Sequence, residues 1–138
     1  MRDVGFEEPL VLGNPVHTGR FKVHVKGNGR AVCLGRINAR KRQDLVADCD
    51  EVDFVGERES DAPIAADHPR YLGAWTKAEV YERLGLYTAL VLPSEGEGDP
   101  MVVKEALAAG MRVVVSEAAA SGVRDVCHDD AARVCVCG

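Results

Sequence analysis

Short, unbroken apolar runs, each closed by glycine, proline or a polar cluster, recur along the chain. Residues 31–36 (AVCLGR), 52–56 (VDFVG), 89–93 (ALVLP), 112–116 (RVVVS) and 132–137 (ARVCVC) have this form. Strands that are apolar throughout, with no alternation, belong in a parallel sheet covered on both faces. Two weaker segments add to these: 11–21 (VLGNPVHTGRF) reads as a short strand followed by a loop, and 70–73 (RYLG) as a short strand. Between the strands lie helix signals. Asn38 can cap a basic helix over 39–47. Thr76 and Glu79 form a capping box ahead of Val80, Leu84 and Tyr87, which share one helical face. Asp99 as N-cap, Pro100 as first helical residue and Gly110 just past the end frame a helix over 100–109. Strands taking turns with helices give a doubly wound α/β fold. Residues 1–138 read as one domain.

Composition narrows the function. Hydrophobic residues are 46% of the chain but aromatics only 5%, so the core rests on Val, Leu and Ala. With 17 basic and 22 acidic side chains the net charge is −5, which argues against a nucleic acid partner. No run is apolar and long enough to span a bilayer and no signal peptide is visible, so any membrane association is expected to be indirect. Five cysteines, at 33, 49, 127, 135 and 137, fit free thiols in a reducing, cytoplasmic compartment. The cluster Cys127, His128, Cys135 and Cys137 invites a zinc reading, but Cys-x-Cys lacks knuckle spacing, and plain core and surface thiols are the favoured reading. Cys33 and Cys135 alternate with valine, as small buried thiols do. His17, His24, His68 and His128 are scattered and read as surface or loop residues, and Trp75 as a cover for the helix that begins at Thr76. Ser94 and Ser116 have no histidine at motif spacing, which leaves a nucleophilic hydrolase unsupported.

The segment richest in candidate chemistry is 94–117, SEGEGDPMVVKEALAAGMRVVVSE. A strand ends at Pro93, and a loop with Gly96 and Gly98 leads into a capped helix. Glycines let backbone N–H groups approach a ligand, and a helix N-terminus carries partial positive charge suited to a diphosphate. Glu105 sits among Val103, Ala106, Leu107 and Ala109. A carboxylate in that company either faces a polar partner, such as a sugar diol, or lies on the solvent edge of the helix. Spacing alone leaves both open.

In this segment Pro93, Ser94, Glu97, Gly98, Glu105, Ala106, Leu107, Ala108 and Gly110 stand in register with a known pattern. The segment resembles the Glu-x7-Glu signature of the large retaining GT-B glycosyltransferase family (group 1). Residues 34–45, LGRINARKRQDL, are similar to that family's Gly-Arg strand end with Lys five residues on. The resemblance implies a Rossmann-like domain of the GT-B C-terminal type that binds a nucleotide-activated sugar. Arg36, Lys41 and Glu97 would be the catalytic group, the two cations neutralising the departing diphosphate. Gly35, Gly98, Asp99, Pro100, Met101 and Glu105 would hold the donor, Glu105 taking the ribose. No cofactor and no metal are implied; the nucleoside diphosphate sugar is substrate.

Several positions depart from the pattern. Asp99 stands where an uncharged residue is usual, Arg42 where a small glycine follows the lysine, and Arg112 where proline is common. The stretch between Leu45 and Val52 is short, so one helix of the usual layout is trimmed. A two-domain enzyme also needs an acceptor-binding half, in cis or as a separate subunit, since two substrates must be held in register. The alternative is a non-catalytic nucleotide- or sugar-binding module. A dinucleotide enzyme is poorly supported, because no G-x-G-x-x-G follows the first strand.

Overall fold

A computed structural model describes residues 18–24, 26–97, 100–120 and 134–137. Five strands form one parallel sheet: β1 (Ala31–Leu34), β2 (Val52–Val55), β3 (Ala89–Leu92), β4 (Arg112–Ser116) and β5 (Val134–Cys137). Their order in space is β2-β1-β3-β4-β5, with every pairing parallel. The apolar runs are strands because their side chains are wanted on both faces. On one face α1 (Lys77–Arg83) and α2 (Met101–Ala108) pack Val80, Leu84, Val103 and Leu107 against Leu90, Leu92, Val113 and Val115. The other face holds a smaller cluster of Cys33, Ile37, Val52, Phe54 and Ile64. A final short helix, α3, spans Glu117–Ala120.

The α1 capping box forms as its sequence predicts: the Thr76 hydroxyl accepts from the Glu79 N–H, and the Glu79 carboxylate accepts from the Thr76 N–H. Trp75 lies against Tyr87, ring centroids 6.3 Å apart, with the Arg83 guanidinium above it.

Four local expectations are corrected. The helix over 39–47 is two 3-10 turns, Ala39–Lys41 and Gln43–Val46, because Arg42 between them takes the left-handed conformation (φ 55°, ψ 36°) that interrupts a helix. The 70–73 strand shrinks to one bridge from Tyr71 to Phe54. Its neighbour Arg70 spends its guanidinium on the carbonyls of Val52 and Ala47. Pro100 takes the N-cap position with extended backbone, and Met101 is the first helical residue. Cys33 is buried, and desolvation pushes its thiol up to about 12, but Cys135 is exposed because β5 ends the sheet. The expected strand start at 11–17 lies outside the described residues, as do His17, Gly98, Asp99, Cys127 and His128.

Two features fix the ends of the sheet. At the amino end, Asp53 of β2 is buried and takes hydrogen bonds from the Arg30 guanidinium and, at 2.6 Å, from the Tyr87 hydroxyl. At the carboxyl end, Gly35 (φ 141°) and Gly56 (φ 150°) cross so closely that a Cβ on Gly56 would lie 1.7 Å from the Gly35 carbonyl oxygen. No residue but glycine fits at 56.

Candidate functional site

The chain leaves β1 for β2 on one side, and the neighbour on the other side is β3. Strand order therefore reverses between β1 and β3, and the loops leaving their carboxyl ends part to leave a crevice there. The loop after β1 begins at Gly35 and carries Arg36 to Lys41. The loop after β3 carries Pro93 to Glu97 and leads on to α2.

Backbone and side-chain bonds fasten these loops together. The Asn38 carboxamide oxygen accepts from the Lys41 N–H at 2.9 Å, and its amide donates to Glu59 at 2.5 Å, which sets the 3-10 turn in place. The Arg40 carbonyl accepts from the Glu95 N–H at 2.9 Å, and the Arg40 guanidinium donates to the Gly96 carbonyl at 2.5 Å. Ser94, fully buried, closes its own turn by donating to the Gly96 carbonyl and accepting from the Gly96 N–H. Ser116 at the end of β4 donates to the Ser94 carbonyl at 2.5 Å. The loop after β3 is thus held by its own turn, by Arg40 of the loop after β1 and by Ser116 of β4.

Between the two loops lies a hollow of about 380 Å³. Gly35, Lys41, Glu97, Pro100, Met101 and Glu105, six of the residues singled out from the sequence, line it. Lys41 and Glu97 form an ion pair there, their side chains only 19% and 10% exposed. Glu105 is buried to 8% within α2 and is met at 3.1 Å by the ammonium of Lys77, the first residue of α1. That ammonium also stands 5.4 Å above the Tyr81 ring. Glu105 is thus buried within α2 and not on its solvent edge, and it is paired with the Lys77 ammonium.

Arg36 is placed differently. Its side chain is 71% exposed and 4.0 Å from Glu59, and it does not line the hollow. Gly98 and Asp99 lie outside the described residues. Two residues escaped the sequence reading. Lys77 stands 28 positions from its partner, with no motif that links the two. Arg40 looked like a solvated member of a basic run; the acidic and glycine-rich character of 94–98 was the available signal that the run had a partner.

A larger hollow, about 730 Å³, opens over the opposite face beside Leu45, Val46, Val91, Val114 and Ala118. Its walls are mainly apolar, with Arg42, Glu95 and Glu117 among its lining residues. Size alone does not mark a ligand site; convergent polar groups do. The smaller hollow has them, at the strand-order reversal and beside the first turn of α2, where N–H groups point outward.

No family model and no curated protein matches the chain. Among solved structures it is similar to the C-terminal domain of a group 1 family glycosyl transferase (LpcC) from Francisella tularensis, with a TM-score of 0.58 and 16% sequence identity. The match covers 89% of this chain and 80% of that one. At that identity the likeness is one of fold: an α/β domain around a parallel sheet.

Proposed function

We propose that this chain is the donor-binding domain of a glycosyltransferase, taking a nucleoside diphosphate sugar into the hollow between Gly35 and the start of α2. The observation that carries the reading is the convergence of Lys41, Glu97, Glu105 and Lys77 on one pyrophosphate-sized space at the strand-order reversal. Glu105 is suited to a ribose diol, because a carboxylate accepts two hydroxyl donors at once. Glu97 would take sugar hydroxyls in the same way. Lys41, released from Glu97 as those hydroxyls arrive, would turn its charge to the diphosphate, with the first-turn amides of α2 behind it. Transfer with retention of anomeric configuration, and an acceptor-binding domain in cis or in trans, belong to the same proposal. No metal ion is called for, since lysine charge and helix amides would meet the leaving group.

Calorimetric titration with uridine, guanosine and adenosine diphosphates and their sugars tests the reading. Saturable binding of at least one is expected. A folded sample indifferent to all of them would remove the proposal. A second reading, a non-catalytic binding module, is favoured by one observation: Arg36 faces Glu59 and leaves Lys41 as the nearer cation. Nucleotide binding without sugar transfer, after an acceptor-domain partner is supplied, would favour that module.

A further inference from the structure

Cys135 and Cys137 do not line the donor hollow. They lie two residues apart on β5, the last strand in the sheet order, and so point to the same face. Both are exposed, and their sulfur atoms are 3.9 Å apart, sharing a hydrogen bond. Cα atoms at i and i+2 of a strand are about 6.6 Å apart, so the two thiols lean toward each other over Val136.

We propose that Cys135 and Cys137 form a two-thiolate chelating site for a soft divalent cation of the zinc and cadmium class. Two metal–sulfur bonds of about 2.3 Å at a tetrahedral angle span about 3.8 Å. The observed separation therefore accepts the ion without backbone movement. A disulfide asks more of the strand. It needs sulfurs at about 2.0 Å and Cα atoms normally within about 6.8 Å, and an extended i, i+2 pair sits at that limit.

Binding replaces two S–H bonds with two metal–sulfur bonds and releases two protons to solvent, with no change of oxidation state. The two remaining tetrahedral positions are left to water or to an outside ligand. Ser116, the register partner of Cys137, is already committed to the Ser94 carbonyl. The site is a pair and no more: among the described residues no group of three or more His, Cys, Asp or Glu side chains is placed around one point. Of the other described cysteines, Cys33 is buried, and Cys49 precedes β2 at the opposite edge of the sheet.

The test is a cadmium titration of the reduced full chain, followed by the thiolate-to-metal charge-transfer absorption. The expected result is a saturable band that survives in Cys49→Ser and in Cys127→Ser and is lost in Cys135→Ser and in Cys137→Ser. Affinity should also tighten as pH rises, because two protons must leave. Both serine variants change exposed side chains, and circular dichroism verifies that they fold. A band that persists in either one, or that disappears in Cys127→Ser, overturns the two-thiol site.

Discussion

The two ends of the sheet use the same chemistry to opposite ends. At the amino end Asp53, Arg30 and Tyr87 close on one another, and none of the three lines either hollow described above. At the carboxyl end two more carboxylate–cation pairs, Lys41 with Glu97 and Lys77 with Glu105, stand around open space. Burial and pairing are common to both and so do not distinguish a site from a clip. What differs is the backbone. Strand order reverses above one end, and a glycine crossing and a stapled loop hold the walls apart there. At the other end the three side chains bond to one another.

If that contrast is right, the two ends should fail in different assays. The largest effect is expected from Asp53→Ala, which strands a buried tyrosine hydroxyl and an arginine. Chemical denaturation should show a loss of about 2 kcal/mol, below the range for a fully buried pair because Arg30 is partly exposed. Nucleotide affinity of the folded protein should not move. Acid should reproduce the loss. Burial pushes the Asp53 carboxyl up and is the largest single influence, but the hydrogen bonds from Arg30 and Tyr87, with the charges of Arg30 and Arg70, together outweigh it and hold the group below its ordinary value of 3.8. Its contribution is therefore complete above that value and is lost as pH falls through the lower, folded one. A wild-type protein that loses no stability on acidification, or an Asp53→Ala variant as stable as the wild type, would erase the contrast from the structural side.

Glu105→Ala comes next and should act in the reverse sense. Nucleotide affinity should fall by roughly 10-fold, the equivalent of about 1.4 kcal/mol. Stability should change by less than about 1 kcal/mol, since a carboxylate in apolar company is exchanged for a methyl group. Lys41→Ala should weaken binding as well, and the deficit should shrink as salt is added. Equal losses of stability and affinity in Glu105→Ala would make the carboxyl end a second clip. The smallest effect is expected at Arg42. Arginine in a left-handed conformation costs about 1 kcal/mol, and its contacts to Asp44 and Glu95 are half-exposed. Arg42→Gly should raise the unfolding free energy by roughly 0.5 kcal/mol and leave nucleotide binding in place.

Much of the fold was legible because its signals are local. An apolar run bounded by glycine or proline states a buried strand within a few residues, and the Thr76–Glu79 box needs only four. Glu97 and Glu105 were legible for the same reason, one segment carrying both. The 39–47 stretch misled because its cap is genuine. Asn38 starts a turn as read, and then Arg40 and Lys41 are drawn to Gly96 and Glu97, 56 positions onward, while Arg42 turns left-handed. Basic side chains favour a helix only until something distant claims them. Lys77 was silent for a related reason, since its meaning lies in a carboxylate on another helix. The direction taken by Arg36 depended on Glu59, in a loop that periodicity says nothing about.

The crossing of Gly35 and Gly56 carries one more consequence. With no room for even a methyl group at 56, the main-chain crossing that seats Gly35 at the edge of the hollow cannot be reshaped by exchanging side chains. Any refitting of this domain to a bulkier or smaller guest has to be done from above, at Lys77 and the opening turns of α1 and α2, where the walls are made of groups that can be swapped one at a time.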